Sequence, residues 1–385
     1  MTESTHIPAI LVLADGTTYR GIGWGATGNT LGEAVFTTAM TGYQETMSDP
    51  SYHRQIVVMT APMIGNTGFN DEDWESHDDR IWLAGMVIRD LAVAESNWRA
   101  NRSLEDEMKA QGIIGIRGVD TRALVRHLRN DGSIAAGLFS GEAATRPVED
   151  LLCEVRNQPP MAGADLAREV STQVAYTVEP EDSAEPTHTI VAYDMGIKTN
   201  TPRNFAARGM RVHVVPANTP FAEIQRYNPD GVFISNGPGD PATADEMVEI
   251  TKQILRADIP LFGICFGNQI LGRALGLETY KLTFGHRGIN VPVLNHLTGK
   301  IDITAQNHGF ALKGEGGQEF DTEFGPAVIT HTCLNDGVVE GVALKTGRAF
   351  SVQYHPEAAA GPHDANYLFD QFVELLDGQN GKVTQ

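Results

Sequence analysis

Cysteine is nearly missing from this chain. Cys153, Cys265 and Cys333, three residues in 385, are too few and too far apart for a disulfide framework or a Cys-x-x-Cys metal pair. Basic side chains are also in short supply. The 29 Lys and Arg stand against 49 Asp and Glu, a formal net charge of −20, and such a surface is poorly suited to holding nucleic-acid phosphates or anionic lipid. No apolar run approaches the roughly 20 residues that span a bilayer. The N-terminus has no basic n-region, and its apolar run Ile7–Ala14 ends at the turn Asp15-Gly16, so it reads as a strand and not a signal peptide. A cytoplasmic location is expected, with no nucleic-acid or membrane partner. No Walker A loop and no His-Glu-x-x-His occur, so no metal or nucleotide site of the chain's own is expected. Gly23-x-Gly25-x-x-Gly28 matches the dinucleotide fingerprint, but Asn29-Thr30-Leu31-Gly32 is a poor helix start. These glycines read as a turn between strands.

What is present suffices for a sizeable core: 41% of residues are hydrophobic, and the length exceeds that of one domain. Up to about residue 150 the pattern is mixed, with strand-like runs (Q-I-V-V-M-T-A, W-L-A-G-M-V-I-R) and helical ones (L-E-D-E-M-K-A-Q-G, T-R-A-L-V-R-H-L-R-N-D-G). Residues 151–188 read as a connecting segment. Its end, Ser171 to His188, is acidic, holds two prolines and keeps no period, so it reads as a linker. From Thr189 onward short apolar strands alternate with amphipathic helical stretches, which implies a parallel sheet covered on both faces. After Tyr280 the pattern turns to strands, and a last helix, A-N-Y-L-F-D-Q-F-V-E-L-L, closes the domain. The expected fold class is therefore α/β. A mixed α/β domain over 1–150 precedes a domain over 189–385 built on an open, mainly parallel sheet covered by helices.

One motif carries chemistry. Gly263-Ile264-Cys265-Phe266-Gly267 lies where a predicted buried strand meets a predicted helix, the nucleophile-elbow pattern with Cys in place of Ser. A cysteine between Ile and Phe is ordinarily a small buried hydrophobe, but the strand before it and the helix after it favour a nucleophile. The helix N-terminus stabilises a thiolate, and the N–H of Phe266 can face an oxyanion. A proton shuttle is then needed. His355, in F-S-V-Q-Y-H-P-E, follows an apolar strand, and Glu357 stands two residues on, able to hold one imidazole nitrogen while the other faces the thiol. His308, in A-Q-N-H-G-F, is the rival base. A second glycine loop, Ser235-Asn236-Gly237-Pro238-Gly239-Asp240, also follows a strand, and strand ends of a parallel sheet are where ligands bind. One of its amides is expected to join Phe266 in an oxyanion hole; which one stays open.

At G-I-C-F-G-N-Q, S-N-G-P-G-D and Y-H-P-E, residues 189–380 resemble the class I (triad) glutamine amidotransferase domain. The runs G-E-A-V-F-T-T-A-M-T-G-Y-Q-E, D-P-S-Y-H-R-Q-I-V, I-G-N-T-G and D-T-R-A-L-V-R-H-L-R look like the N-terminal domain of carbamoyl phosphate synthetase small subunits. That resemblance implies a Cys265–His355–Glu357 triad and a glutamyl thioester. It also implies L-glutamine bound by Ser51, Gly237, Gly239, Phe266, Gln269, Asn307, Gly309 and Phe310. Its further implication is a heterodimer with a large subunit that carries ATP and Mg and turns ammonia and bicarbonate into carbamoyl phosphate, for arginine and pyrimidine synthesis. Many relatives read G-I-C-L-G-H-Q, whereas Phe266 and Asn268 stand here; a backbone amide survives the first change, and the side-chain pocket does not follow from it. A glutaminase half of another synthase, a cysteine peptidase of similar fold and a non-catalytic scaffold are the alternatives. The matched first part speaks against the first, turnover of glutamine against a peptide panel separates the second, and the presence of Cys265 argues against the third.

Overall fold

The computed structural model describes residues 6–180 and 185–378. The chain divides into two compact units, Met1–Met161 and Ala162–Gln385. Strands of the first unit are β1 (Pro8–Leu13), β2 (Thr18–Gly25), β3 (Gly28–Thr37), β4 (Gln55–Met59), β5 (Met63–Ile64), β6 (Gly85–Val87), β7 (Asp90–Leu91), β8 (Ile114–Arg117) and β9 (Ile134–Ser140). Seven of them close into a barrel in the order β1-β2-β8-β6-β4-β3-β9, while β5 and β7 pair with each other. The fingerprint-like glycines do lie at a strand junction, since β2 ends at Gly25 and β3 begins at Gly28. Helices α1 (Tyr43–Ser48), α2 (Leu104–Ala110), α3 (Thr121–Asp131) and α4 (Val148–Asn157) complete the unit. Ser103 and Asp120 start α2 and α3 by accepting the N–H of Asp106 and of Ala123 on their side chains.

This unit runs past the boundary at 150 read from the sequence. Leu151 and Val155 of α4 are fully buried with Ile10, Val12 and Phe139, so the connecting segment begins as a helix of the first core.

Strands of the second unit are β10 (Tyr176–Val178), β11 (His188–Asp194), β12 (Met210–Pro216), β13 (Gly231–Ile234), β14 (Leu261–Ile264), β15 (Thr279–Asn295), β16 (Ile301–Leu312), β17 (Glu319–Thr322), β18 (Gly325–Cys333), β19 (Val339–Leu344) and β20 (Ala349–Val352). They form one sheet in the order β10-β12-β11-β13-β14-β20-β19-β16-β15-β18-β17. Strands β12, β11, β13, β14 and β20 are mutually parallel; the strands beyond them on either side pair antiparallel. The helices are α5 (Ala167–Val170), α6 (Asn200–Ala206), α7 (Phe221–Ile224), α8 (Asp245–Arg256), α9 (Phe266–Ala274) and α10 (Tyr367–Leu376).

The alternation of strand side chains decides which helices cover which face. Val232, Ile234 and Leu261 point toward α8 and α9, burying Ile254, Ile270 and Leu271. Phe233 and Phe262 point the other way, to Phe205 of α6 and Phe369 and Phe372 of α10. In that aromatic layer the Phe262 ring lies 5.5 Å from Phe233 and 4.5 Å from Phe350. Each such ring excludes 150–250 Å² from water, at roughly 25 cal/mol per Å². The layer fixes the floor on which the strand ends stand.

The stretch Ser171–His188 is not wholly a linker. Residues 181–184 lie outside the described residues, but Tyr176–Val178 adds to β12 as an antiparallel edge strand. Tyr176 and Val178, two residues apart and hence on one side, pack half-buried on the aromatic layer, and the Thr172 N–H donates to Asp194. An edge strand of three residues is too short for its alternation to stand out from acidic surroundings. No helix among the described residues is long and apolar enough to cross a membrane.

Candidate active site

Parallel strands β11, β13, β14 and β20 all end at one edge of the sheet, and the loops that leave them carry Lys198, Gly237, Cys265 and His355. Cys265 follows β14 directly and takes φ 54 and ψ −99, an uncommon backbone state for a residue with a side chain. Two glycines make this turn possible. A Cβ on Gly263 would lie 2.7 Å from the Gly267 carbonyl oxygen, and one on Gly267 would lie 2.2 Å from that of Ile234. The chain can double back from β14 into α9 only without those atoms. Phe266 is the first residue of α9, where an N–H has no intrahelical acceptor. The thiol is buried, and its Sγ lies 3.6 Å from the Asn307 carbonyl oxygen.

β14 and β20 run side by side, with Ile264 opposite Val352 and the Cys265 N–H donating to the Val352 carbonyl. His355, three residues beyond Val352, is thereby brought to the same edge. Its own N–H donates to Ala305, so β16 touches Cys265 at Asn307 and His355 at Ala305. Imidazole Nδ1 lies 2.6 Å from Oε1 of Glu357, while the buried Nε2 has no hydrogen-bond partner. The ring is thus oriented from one side and open on the other. Glu357 is fully buried. Burial alone would raise its pKa, but the neighbouring His355, then Lys198, outweigh burial and hold it down to about 2. Lys198 Nζ lies 3.5 Å from Glu357 Oε1, and Asn200 donates to the Glu357 carbonyl. The carboxylate therefore stays ionised, and the Nδ1 proton has a fixed acceptor.

The loop after β13 is tied to the elbow. Gly267 donates its N–H to the Ser235 carbonyl, Ser235 Oγ accepts the Met195 N–H, and Asn236 donates to the Gly196 carbonyl. A Cβ on Gly237 would lie 2.0 Å from the Met195 carbonyl oxygen. Only glycine fits where these two loops meet. Gly239, with φ 97, abuts Ala164 and Leu166.

Among the remaining sequence-predicted residues, Gln269 on α9 donates to the Phe310 carbonyl and to Gln353 Oε1, at 2.9 and 3.1 Å. Asn307, Gly309 and Phe310 share β16, which meets the thiol at the Asn307 carbonyl. Asn268 is fully buried, bonded to Gln353 and Ser351, so it belongs to the packing beneath the elbow. Ser51 lies in the first unit, buried in a short 3-10 turn (Pro50–Tyr52) with its N–H on Asp49. The rival base is otherwise engaged. His308 Nδ1 lies 2.9 Å from the Phe310 carbonyl oxygen, and Nε2 faces Gln306 and Glu340.

Lys198, Gln353, His286 and Glu340 were not singled out from the sequence. Lys198 carried a usable signal, because M-G-I-K follows a predicted parallel strand just as S-N-G-P-G-D does. Glu340 carried none, being one acid in a stretch that reads only as strand.

Known proteins share this arrangement's sequence throughout. The family described as "Carbamoyl-phosphate synthase small chain, CPSase domain" matches residues 11–138, and "Glutamine amidotransferase class-I" matches residues 191–375. A carbamoyl phosphate synthase small chain of Corynebacterium glutamicum is 72% identical over 382 residues, covering 99% of this chain and 97% of its own. The chain belongs to the carbamoyl phosphate synthase small chain family. Similar proteins of the same name occur in Corynebacterium diphtheriae, 73% identical over 98% of this chain and 99% of its own, and in Mycobacterium tuberculosis, 65% identical over 96% and 99%. The second part of the chain is a class I glutamine amidotransferase domain in a mixed α/β fold. Membership covers both units, which separates the chain from a free-standing glutaminase half.

Proposed function

We propose that this chain releases ammonia from glutamine and feeds it to a large, ATP-using carbamoyl phosphate synthase subunit. The observation that carries this reading is Cys265 at a positive-φ elbow, with a His355–Glu357 pair fixed at the same sheet edge. His355 Nε2 takes the thiol proton and the thiolate adds to the carboxamide carbon of glutamine, forming a C–S bond. The oxyanion is met by the Phe266 N–H and an amide of the Gly237–Gly239 loop. His355 returns the proton to nitrogen, the C–N bond breaks and ammonia leaves. Water, deprotonated by the same imidazole, then cleaves the glutamyl thioester to glutamate and free thiol. Glu357 holds the imidazole's orientation and its charge throughout.

Asn307, Gly309, Phe310, Gln269, Gly237, Gly239, Phe266 and Ser51 are the glutamine-binding residues in this reading. The chain binds no cofactor of its own; ATP and Mg act on the large subunit, where ammonia and bicarbonate become carbamoyl phosphate for arginine and pyrimidine synthesis in the cytoplasm. The test is the reconstituted pair of subunits. Cys265→Ala is expected to abolish synthesis from glutamine while leaving synthesis from free ammonia intact. Equal loss of both activities overturns the reading.

A further inference from the structure

Behind the Asn307–Phe310 stretch lies a buried polar cluster that the chemistry above does not use. Pairing between β15 and β16 breaks between Lys281 and His286, so Gly309 and Phe310 lie where the ladder is irregular. Side chains hold the backbone there instead. The Phe310 carbonyl accepts from Gln269 Nε2 and faces His308 Nδ1, both at 2.9 Å. His308 is wholly buried, and its other nitrogen, Nε2, lies 3.2 Å from Gln306 Oε1 and 3.7 Å from Glu340 Oε1. Gln306 is itself held at both ends of its amide. Its Nε2 is on Thr304, and its Oε1 also faces His286 Nδ1 at 3.0 Å.

Both nitrogens of His308 thus face acceptors, and a neutral imidazole has one proton to give. Burial opposes a second proton, drawing the ring's pKa below its ordinary value, while the Glu340 charge pulls it up. Glu340 on β19 is itself fully buried. His286 and His308 converge on its Oε1, and its Oε2 has no hydrogen-bond partner. His286 on β15 is held from its far side by Asp336, 2.8 Å from Nε2. The charged or titratable groups that face His308 are therefore Glu340 and His286, with Asp336 behind.

We infer that Glu340 is a positioning residue for the glutamine site: its buried carboxylate holds the His308 ring from the Nε2 side, which keeps Nδ1 against the Phe310 carbonyl at the break in the ladder. The inference rests on the reading that β16 lines the glutamine pocket. Removing the charge while keeping the shape loosens the hold on the ring at Nε2. The strand then loses an anchor, not its fold.

The experiment is steady-state glutamine kinetics of the reconstituted two-subunit enzyme. Glu340→Gln is expected to raise KM for glutamine about tenfold or more, the size of one lost hydrogen bond to a charged group. Its kcat and its ammonia-dependent synthesis are expected to stay within about threefold. Glu340→Asp, which keeps the charge, is expected to lie nearer to wild type, and it supplies the measurement should Glu340→Gln fail to assemble. In a His308→Gln background, Glu340→Gln is expected to add nothing further, because the two act through one path. A lowered Tm with KM unchanged overturns the inference, as do additive effects in the double variant or an Asp variant no better than Gln. Stoichiometric metal in the purified protein overturns it too, because the atoms of His286, His308 and Glu340 lie within 4.8 Å of one another, and an ion would replace the proton. Glutamine hydrolysis by wild type and its loss in Cys265→Ala test the underlying reading separately.

Discussion

Lys198 Nζ lies 3.5 Å from Oε1 of Glu357, the same oxygen that accepts from His355 at 2.6 Å. One carboxylate oxygen therefore meets a lysine ammonium and an imidazole from two different strand ends, with almost no water near it. Lys198→Met removes a cation that helps keep Glu357 ionised. The expected result is about a tenfold loss in kcat/KM for glutamine, because a carboxylate that has lost this cation orients the imidazole less firmly. Glutaminase kinetics of the reconstituted enzyme check this, and an unchanged kcat/KM contradicts it.

His355→Asn is expected to lower glutamine turnover by about 10³-fold or more, and Glu357→Gln by less, since an orienting carboxylate ordinarily matters less than the base it holds. His308→Asn is expected to act mainly on KM, because both its nitrogens are engaged away from the thiol. If His308→Asn were the more damaging to kcat, the base would be misassigned.

Gly267→Ala places a methyl 2.2 Å from the Ile234 carbonyl oxygen, backbone that cannot step aside without shifting β13 or the elbow. A displacement on the order of 1 Å at a nucleophile costs about 10²-fold in rate. Glutamine-dependent synthesis is expected to fall by that factor while synthesis from ammonia persists; comparable rates from glutamine would show the elbow to be more yielding than its contacts imply.

His286 gives stability a pH signature. Burial pulls its pKa down, but hydrogen bonds to Asp336 and Glu340 and their charges outweigh it and raise it from 6.5 to about 9. A folded pKa above the unfolded one means the contribution is complete below pH 6.5 and is lost as pH rises through about 9. The Tm gap between wild type and His286→Gln should therefore be widest near pH 6 and narrow toward pH 10. A gap that stays constant across that range rules out an imidazolium here.

Much of the second unit could be read without coordinates. Apolar strands alternating with amphipathic helices, and glycines flanking Cys265, are local patterns, and local patterns suffice to place a nucleophile at the end of a parallel strand. His355 and Glu357 were legible for the same reason, lying two residues apart beside one strand end. The barrel of the first unit was not legible, because its closure depends on which strands pair, and mixed runs such as Trp82–Arg89 carry no partner in their sequence. Nor was the three-residue edge strand inside the acidic stretch, whose order comes from β12 and the aromatic layer beneath it.

The amino-acid order alone therefore determined the kind of chemistry, the strand ends at which Cys265, His355 and Glu357 stand, and the sheet that presents them. Only the tertiary structure decided what surrounds them. Lys198 reaches Glu357 from β11, and His286, His308 and Glu340 meet from β15, β16 and β19. The physical reason is that burial and charge act through space: a carboxylate fully removed from water is held by whichever cations the pairing of distant strands brings within a few ångströms, and no spacing along the chain encodes that distance.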